Sequence, residues 1–536
     1  MKKLFLIALL FSSYSYAQEG EIHGDFQLNL QSYKDDARIG AIAPDEIILN
    51  NSFFNLMYSK GNFSTGVRYE SYLNALLDYD SEFQGNSIAY RYASYSLDNL
   101  DVTVGNYYEQ FGSGLVFRTY ENKSLGVDNA MDGVRIKYNI LNSIDIKSFI
   151  GKSRTHLEYS DGIIRGVDFE TSLFELLALE KSTNLILGSS FVSRFQKDNN
   201  PKFNLPQNVG VYGLRTNFIS GNFNYYLEYV HKYNDPAGSI ADNSNNYATG
   251  NAIRTSLTYF QKGLGFSFDA HRVDNMEFRS ERQQSKEYII NYIPTLSKQH
   301  SYTLLAFYPC ATQSNGEIGF QSDLYYKFDR GTIFGGKYGT KININYSRVL
   351  ALDGGSSLKN DSIDFTPVFL GSSNELFYSD LNLELVKKIN SKLRVNSTIA
   401  FQKYNKDVLE GKLPGEYGII ESTIGVIDAT YKLKRKHTLR AELQALLTDD
   451  DDGSWSMALV EYTMSPNWFF AIQDLYNFGN DDQKNHYFNF NFGYIKGSNR
   501  IEIGYGKKRA GIFCVGGVCK EVPSSNGFSL NISSSF

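Results

Sequence analysis

The sequence predicts an all-β protein, a single large antiparallel transmembrane β-barrel of about 26 strands, with 24 as the alternative count. Three observations carry this prediction. First, the chain ends in a stretch, Gly527 to Phe536, in which Phe528, Leu530, Ile532 and Phe536 share one parity and Ser529, Asn531, Ser533 and Ser535 hold the other. Side chains of a strand alternate between faces, so this strand has one apolar and one wet face. Second, the same period of two recurs along the chain, with no sustained helical period after the first residues. Third, short and long connections alternate, as in outer-membrane barrels with tight periplasmic turns and longer outer loops.

The elements follow in order. Lys2 and Lys3 precede an apolar run from Leu4 to Phe11, and Ser15 and Ala17 place small residues where a signal peptidase reads. Residues 1–17 are therefore expected to be a cleaved signal peptide, with the barrel domain over 18–536. The run is too short to cross a bilayer as a helix, and no Cys follows it to take a lipid anchor. No later stretch of about twenty apolar residues predicts a transmembrane helix. The mean hydropathy of -0.34 suits a barrel, because half of each strand faces a polar interior. Tyr (39) and Phe (38) dominate an aromatic share of 15%, which fits girdles at the two membrane interfaces.

Four strands read most clearly. Asn222 to Tyr229, Leu264 to His271, Leu439 to Ala445 and His486 to Tyr494 each alternate apolar and polar positions. Tight turns are expected at Gly61-Asn62, Asn142-Ser143, Gly221-Asn222, Lys262-Gly263, Arg330-Gly331, Asn390-Ser391 and Ser465-Pro466-Asn467. Longer loops are expected near 35–45, 74–85, 110–130, 197–206, 235–248, 351–373, 405–417 and 510–523. Counting inward from both ends agrees on about 26 strands if Lys286–Ile293 and Ser301–Tyr308 are separate strands. The region 276–316 is the least regular. A soluble propeller or sandwich array would show repeats of about 40–50 residues or linkers, and neither is present.

One stretch breaks the rhythm. From Gly105 to Gly133 a strand gives way to a Gly-rich, charged and aromatic loop. A loop folded inward would constrict or plug the lumen, with Arg118, Glu121, Lys123, Asp128 and Arg135 as its candidate lining residues. The alternative is a structured outer loop. Within it, Phe111-Gly112-Ser113-Gly114-Leu115, Gly126-Val127-Asp128-Asn129 and Asp132-Gly133-Val134-Arg135 resemble an uncharacterised family of Bacteroidota outer-membrane proteins. The loop from Cys514 to Cys519 and the terminal Phe536 resemble the same family. The resemblance implies a barrel and a diderm host, and it supplies no function.

Cys514 and Cys519 lie in the last long loop, an oxidising setting, and Val515-Gly516-Gly517-Val518 can turn tightly enough to bring them together. A disulfide is the favoured reading and free thiols the other. Cys310 is left unpaired. Asp449, Asp450 and Asp451 in one loop and Asp481 and Asp482 in the next form a weak Ca²⁺ candidate, against a simple solvated acidic loop. Lys507, Lys508 and Arg509 could pair with these acids or with lipopolysaccharide phosphates. Seven scattered His, without HExxH, GxSxG or a phosphate loop, give catalysis no support, and no other cofactor is implied. The formal charge of -5, which becomes -7 without Lys2 and Lys3, excludes a nucleic-acid partner, and no basic patch with stacking aromatics stands out.

These readings point to the outer membrane of a diderm bacterium. The expected partners are outer-membrane lipid and lipopolysaccharide, with the barrel assembly machinery engaged through Phe528, Leu530, Ile532 and Phe536. The first functional expectation is a porin-like channel for small solutes with a loop-constricted lumen. The second is a non-conducting barrel that serves as a subunit of a secretion or surface-protein assembly complex. A plugged lumen would favour the second. Alternation from Glu21 onward speaks against a TonB-dependent transporter with an N-terminal plug domain, and against an autotransporter passenger.

Overall fold

The protein, as a computed structural model, is described over residues 20–179, 182–198, 205–237, 246–282, 288–353, 368–480, 484–515 and 518–536. The expected signal peptide lies outside these residues.

Twenty-four strands form one antiparallel sheet in which each pairs with the next along the chain. The sheet closes where the first strand, Glu21–Tyr33, pairs with the last, Ser525–Ser535, in register from Asp25 opposite Ser535 to Tyr33 opposite Gly527. Twenty-four strands about 4.8 Å apart and tilted about 40° enclose a ring roughly 45–50 Å across. Single side chains cannot fill such a lumen.

The alternation sorts residues between the two faces. On Ser372–Lys388, Leu381, Leu383 and Leu385 are exposed on the outside, while Asp380 and Asn382 are buried inside. On Leu393–Asn405, Ile399 and Phe401 point out and Thr398, Ala400 and Gln402 point in. On the last strand the polar parity faces the lumen and Phe528 is exposed outside. The outer wall thus carries a continuous apolar belt. Soluble monomers rarely expose contiguous apolar patches of more than a few hundred Å².

Among the described residues helix is confined to single turns at Ser81–Phe83, Leu173–Leu176 and Lys406–Leu409. The long connections gather at one end of the barrel and the short ones at the other. Two turn-end connections are longer than the rest. One holds the Leu173–Leu176 turn, and the other runs from Phe328 to Thr340, where the sequence suggested a tight turn at Arg330-Gly331.

The count of 24 rather than about 26 has a definite cause. Of the stretches read as strands, the described part of Lys286–Ile293, residues 288–293, and Ser301–Tyr308 are not part of the wall; residues 286 and 287 lie outside the described residues. The described residues between Leu264–Asp274 and Gly316–Phe328, 275–282 and 288–315, lie in the lumen. Neighbouring residues of both parities, Leu304 with Leu305 and Phe307 with Tyr308, are buried. A wall strand needs one lipid face and one wet face. A segment that is apolar on both faces is better satisfied when it is surrounded on every side.

Candidate functional site

The lumen is occupied at its loop end by two inserted segments. The first, the plug, leaves the strand Leu100–Tyr107 and returns at Met131–Ile140. Where it departs, Gly105, Gly133 and Gly151 stand opposite one another on three adjacent strands. A Cβ on Gly133 would strike the backbone of Ile150, so this bend of the wall requires glycine.

The plug folds as two small hairpins. The first pairs Gln110–Phe111 with Phe117–Arg118 and buries Phe111, Leu115, Val116 and Phe117 completely. Their partners are wall residues including Phe149, Ile164, Val192 and Val230. The Phe117 and Phe149 rings stack with centroids 4.5 Å apart. Gly112 has φ +53°, and a side chain there would strike the Glu228 carboxylate, which instead accepts from Ser113 N at 3.2 Å and from the Ser113 hydroxyl.

The second hairpin, Glu121–Asn122 with Val127–Asp128, is held by charge. Arg68 reaches Glu70 at 2.7 Å, Glu121 at 3.0 Å and Asp128. Arg154, only 1% exposed, bridges Glu70 at 2.5 Å and Asp128 at 2.6 Å. Lys123 donates to Gln27 of the first strand at 2.8 Å and lies 4.1 Å from the Phe53 ring centre. Arg118 sits between Tyr292 and Tyr120, at 4.1 and 4.8 Å from their ring centres. Arg135 belongs to the wall, where it pairs with Asp101 at 3.0 Å. The structure thus places Arg118, Glu121, Lys123 and Asp128 on the plug and Arg135 beneath it. All five are engaged with protein groups.

The second inserted segment, the strap described over residues 275–282 and 288–315, is what sequence reasoning missed. It is tied to the plug through main-chain bonds from Arg118 N to Ile290 O (2.8 Å) and from Tyr292 N to Gly114 O (2.9 Å). It then crosses to the far wall. There His300 meets Asp380 at 2.5 Å, Tyr302 donates to Asp428 at 3.1 Å, and Leu304 N donates to Gln444 at 2.8 Å. Gln402 donates to Leu305 O at 3.0 Å. Leu296, Leu304, Leu305 and Phe307 pack with Ala400, Leu446, Trp455 and Met457 in a second apolar cluster. Cys310, on the strap, is free and buried, and burial pushes its thiol up. The signal available in the sequence was the pairing of apolar neighbours between Pro294 and Pro309.

Further loops complete this end. Cys514 and Cys519 are joined by a disulfide across the hairpin Gly511–Val515 with Val518–Val522, whose Lys520 donates to Asp78 O at 2.9 Å. Lys507 pairs with Asp36 at 2.6 Å, and the Arg509 guanidinium lies over the Phe307 ring. Asp450 accepts from Glu421 N at 3.0 Å, and Asp451 pairs with Lys406 at 2.6 Å. Asp481 and Asp482 lie outside the described residues. Among the described residues no group of three or more His, Cys, Asp or Glu converges to hold a metal. The assembly-signal candidates Phe528, Leu530 and Ile532 face outward, and Phe536 N donates to Gly24 O at 2.9 Å.

At the turn end the lumen keeps polar walls. Arg440, Arg500 and Glu502 lie there on the lumen-facing parity; Glu442 and Asn491 share that parity at mid-wall and Asn489 toward the loop end.

A family model described as "Family of unknown function (DUF6029)" matches residues 1–536. No curated protein matches the chain. Among solved structures it is similar to the P pilus usher (PapC) translocation pore, at 9% identity over 96% of this chain and 99% of that one, with a TM-score of 0.36. It is also similar to the siderophore receptor PirA from Pseudomonas aeruginosa, at 8% identity over 97% and 81%, with a TM-score of 0.42. A third is OccK8 (OprE) from Pseudomonas aeruginosa, at 8% identity over 97% and 98%, with a TM-score of 0.37.

Proposed function

We propose, for a chain that belongs to the family of unknown function DUF6029, an outer-membrane barrel whose lumen is stoppered, acting as a non-conducting subunit of a surface-protein assembly or secretion complex. The observation that carries this reading is the pair of buried apolar clusters that seal plug and strap against opposite walls. A passive pore gains nothing from a dry core across its lumen. A scaffold, or a pore opened only by a partner, does. The apolar outer belt supports the membrane location, since each Leu, Ile or Phe left in water would forfeit about 1.5–3 kcal/mol. With the usual orientation of such barrels, turns face the periplasm and loops face outside. The leader over residues 1–17 delivers the chain there, and the closing strand engages the assembly machinery.

The porin-like reading for small solutes is second, favoured by the polar turn-end vestibule. Planar-bilayer recordings separate the two. Native protein is expected to be silent, and a variant lacking residues 112–127 is expected to leak current. Steady current from native protein would overturn the stoppered reading.

A further inference from the structure

We propose that the turn-end mouth of the lumen is a docking site for an acidic polypeptide segment, gripped by a basic arc along six neighbouring strands. The proposal deepens the subunit reading above by giving the partner's chemistry.

The arc runs from Gly316–Phe328 to His437–Leu447. Lys327, Lys341, Lys388, Arg394 and Lys432 sit at the turn ends of five of these strands, on the parity that faces the lumen. All five are exposed. The turns between them add Arg330, Lys337, Lys392, Arg435 and Lys436. Over residues 325–343, 386–396 and 430–438 the only acid is Asp329. By contrast, the turns at Gly61-Asn62, Asn142-Ser143, Gly221-Asn222 and Ser465-Pro466-Asn467 carry no charge.

Two features argue that this charge is kept for a partner. The first is register. Lys327 stands directly opposite Lys341, and Lys388 directly opposite Arg394. Like charges in facing positions destabilise a sheet, so the fold tolerates a cost that an anion would remove. The second is the lack of an anionic partner. Among the described residues none of these cations forms an ion pair; Lys388 and Lys337 meet only the Tyr338 ring, at 4.9 and 5.8 Å from its centre, and Arg394 donates to Asn396. Glu384, four residues before Lys388 on the same lumen-facing parity, is taken by Lys298 of the strap at 3.6 Å.

Position and size select the class of partner. The lumen-facing parity points these side chains away from lipid headgroups. Six strands span roughly 30 Å of rim at the spacing and tilt of a barrel, about the reach of nine extended residues. That is far more than one small anion needs. Exposed Ile333 and Phe334 on the intervening turn offer apolar contact at the edge of the same arc.

The test uses full-length protein in zwitterionic nanodiscs and a fluorescein-labelled decapeptide of glutamates, read by anisotropy, with inorganic phosphate and anionic vesicles as competitors. The native protein is expected to bind the peptide, weakening as salt rises. The combined variant Lys327→Gln, Lys341→Gln, Lys388→Gln, Arg394→Gln is expected to bind about tenfold or more weakly while melting no earlier than native. The control Lys60→Gln, Lys496→Gln, at the turn ends of Leu49–Lys60 and His486–Lys496 on the outward parity, should bind as native does. Lys388→Glu with Arg394→Glu should weaken binding of the glutamate decapeptide further than Lys388→Gln with Arg394→Gln does, with an unchanged melting temperature showing that both pairs fold. Equal affinity in native protein and the fourfold variant overturns the proposal. So does full displacement by millimolar phosphate, which would mean a small-anion site, or by anionic vesicles, which would mean a lipid surface. A native barrel that conducts current would sink the stopper and leave this binding result standing.

Discussion

Arg154 is the residue on which the plug depends most. It is buried with Glu70 and Asp128, and removing one partner from a buried ionic group leaves charge stranded in a poor solvent. Arg154→Ala is expected to cost about 3–5 kcal/mol locally. Faster amide exchange over residues 119–131 and tryptic cleavage at Lys123 would report it. Unchanged exchange would mean that Arg68 alone suffices. In the loop after Leu393–Asn405, burial works against the charge of Lys406, but its hydrogen bond to Asp451 and the field of that carboxylate outweigh burial and raise its ammonium above the usual lysine range. A raised pKa contributes stability that is complete below the unfolded value of about 10.4 and lost as pH climbs through the folded one. The loop holding Asp451 should therefore keep its amide protection through neutral pH and lose it only in strong alkali, with Lys406→Gln abolishing that alkaline step. Phe536 closes the chain against Gly24, where any side chain would collide with its ring. Phe536→Ala is expected to lower the amount of barrel recovered from outer-membrane fractions, with the transcript unchanged.

The inserted segments behave as one body because their main chains are bonded to each other. Cutting either side of that junction should loosen both. Phe117→Ala removes a fully buried ring, a change that costs about 3–5 kcal/mol in a core that cannot collapse, and it is expected to speed exchange in strap residues 288–293 as well as in the plug. Exchange confined to the plug would separate the two. These segments also show what the sequence could and could not disclose. Phe488, Phe490 and Phe492 against Asn489 and Asn491 were readable because a wall strand meets two solvents and records both. The inward course of residues 105–133 was visible only as a broken rhythm, and its lining residues as a cluster of charge. The strap was misread as two wall strands, because a segment buried on every side carries no alternation to reveal its direction. The basic arc was invisible for another reason. Its cations are spread from Lys327 to Lys436 and become neighbours only when the strands are laid side by side.

For the molecule as a whole, the wall and its contents cannot be assembled independently. Lys123 of the plug bonds to Gln27 on the first strand, and Gln299 of the strap bonds to Cys514 O in the loop that leads to the last strand. One seam strand and the loop beside the other therefore touch the stopper. A sheet that gathers its contents while it is still an open trough, its first and last strands meeting afterwards like a bottle blown around its ship, makes a prediction. Variants that loosen the stopper are then expected to leave the seam unzipped, so that a cysteine pair across Leu28 and Ile532, directly paired in the closed barrel, fails to cross-link.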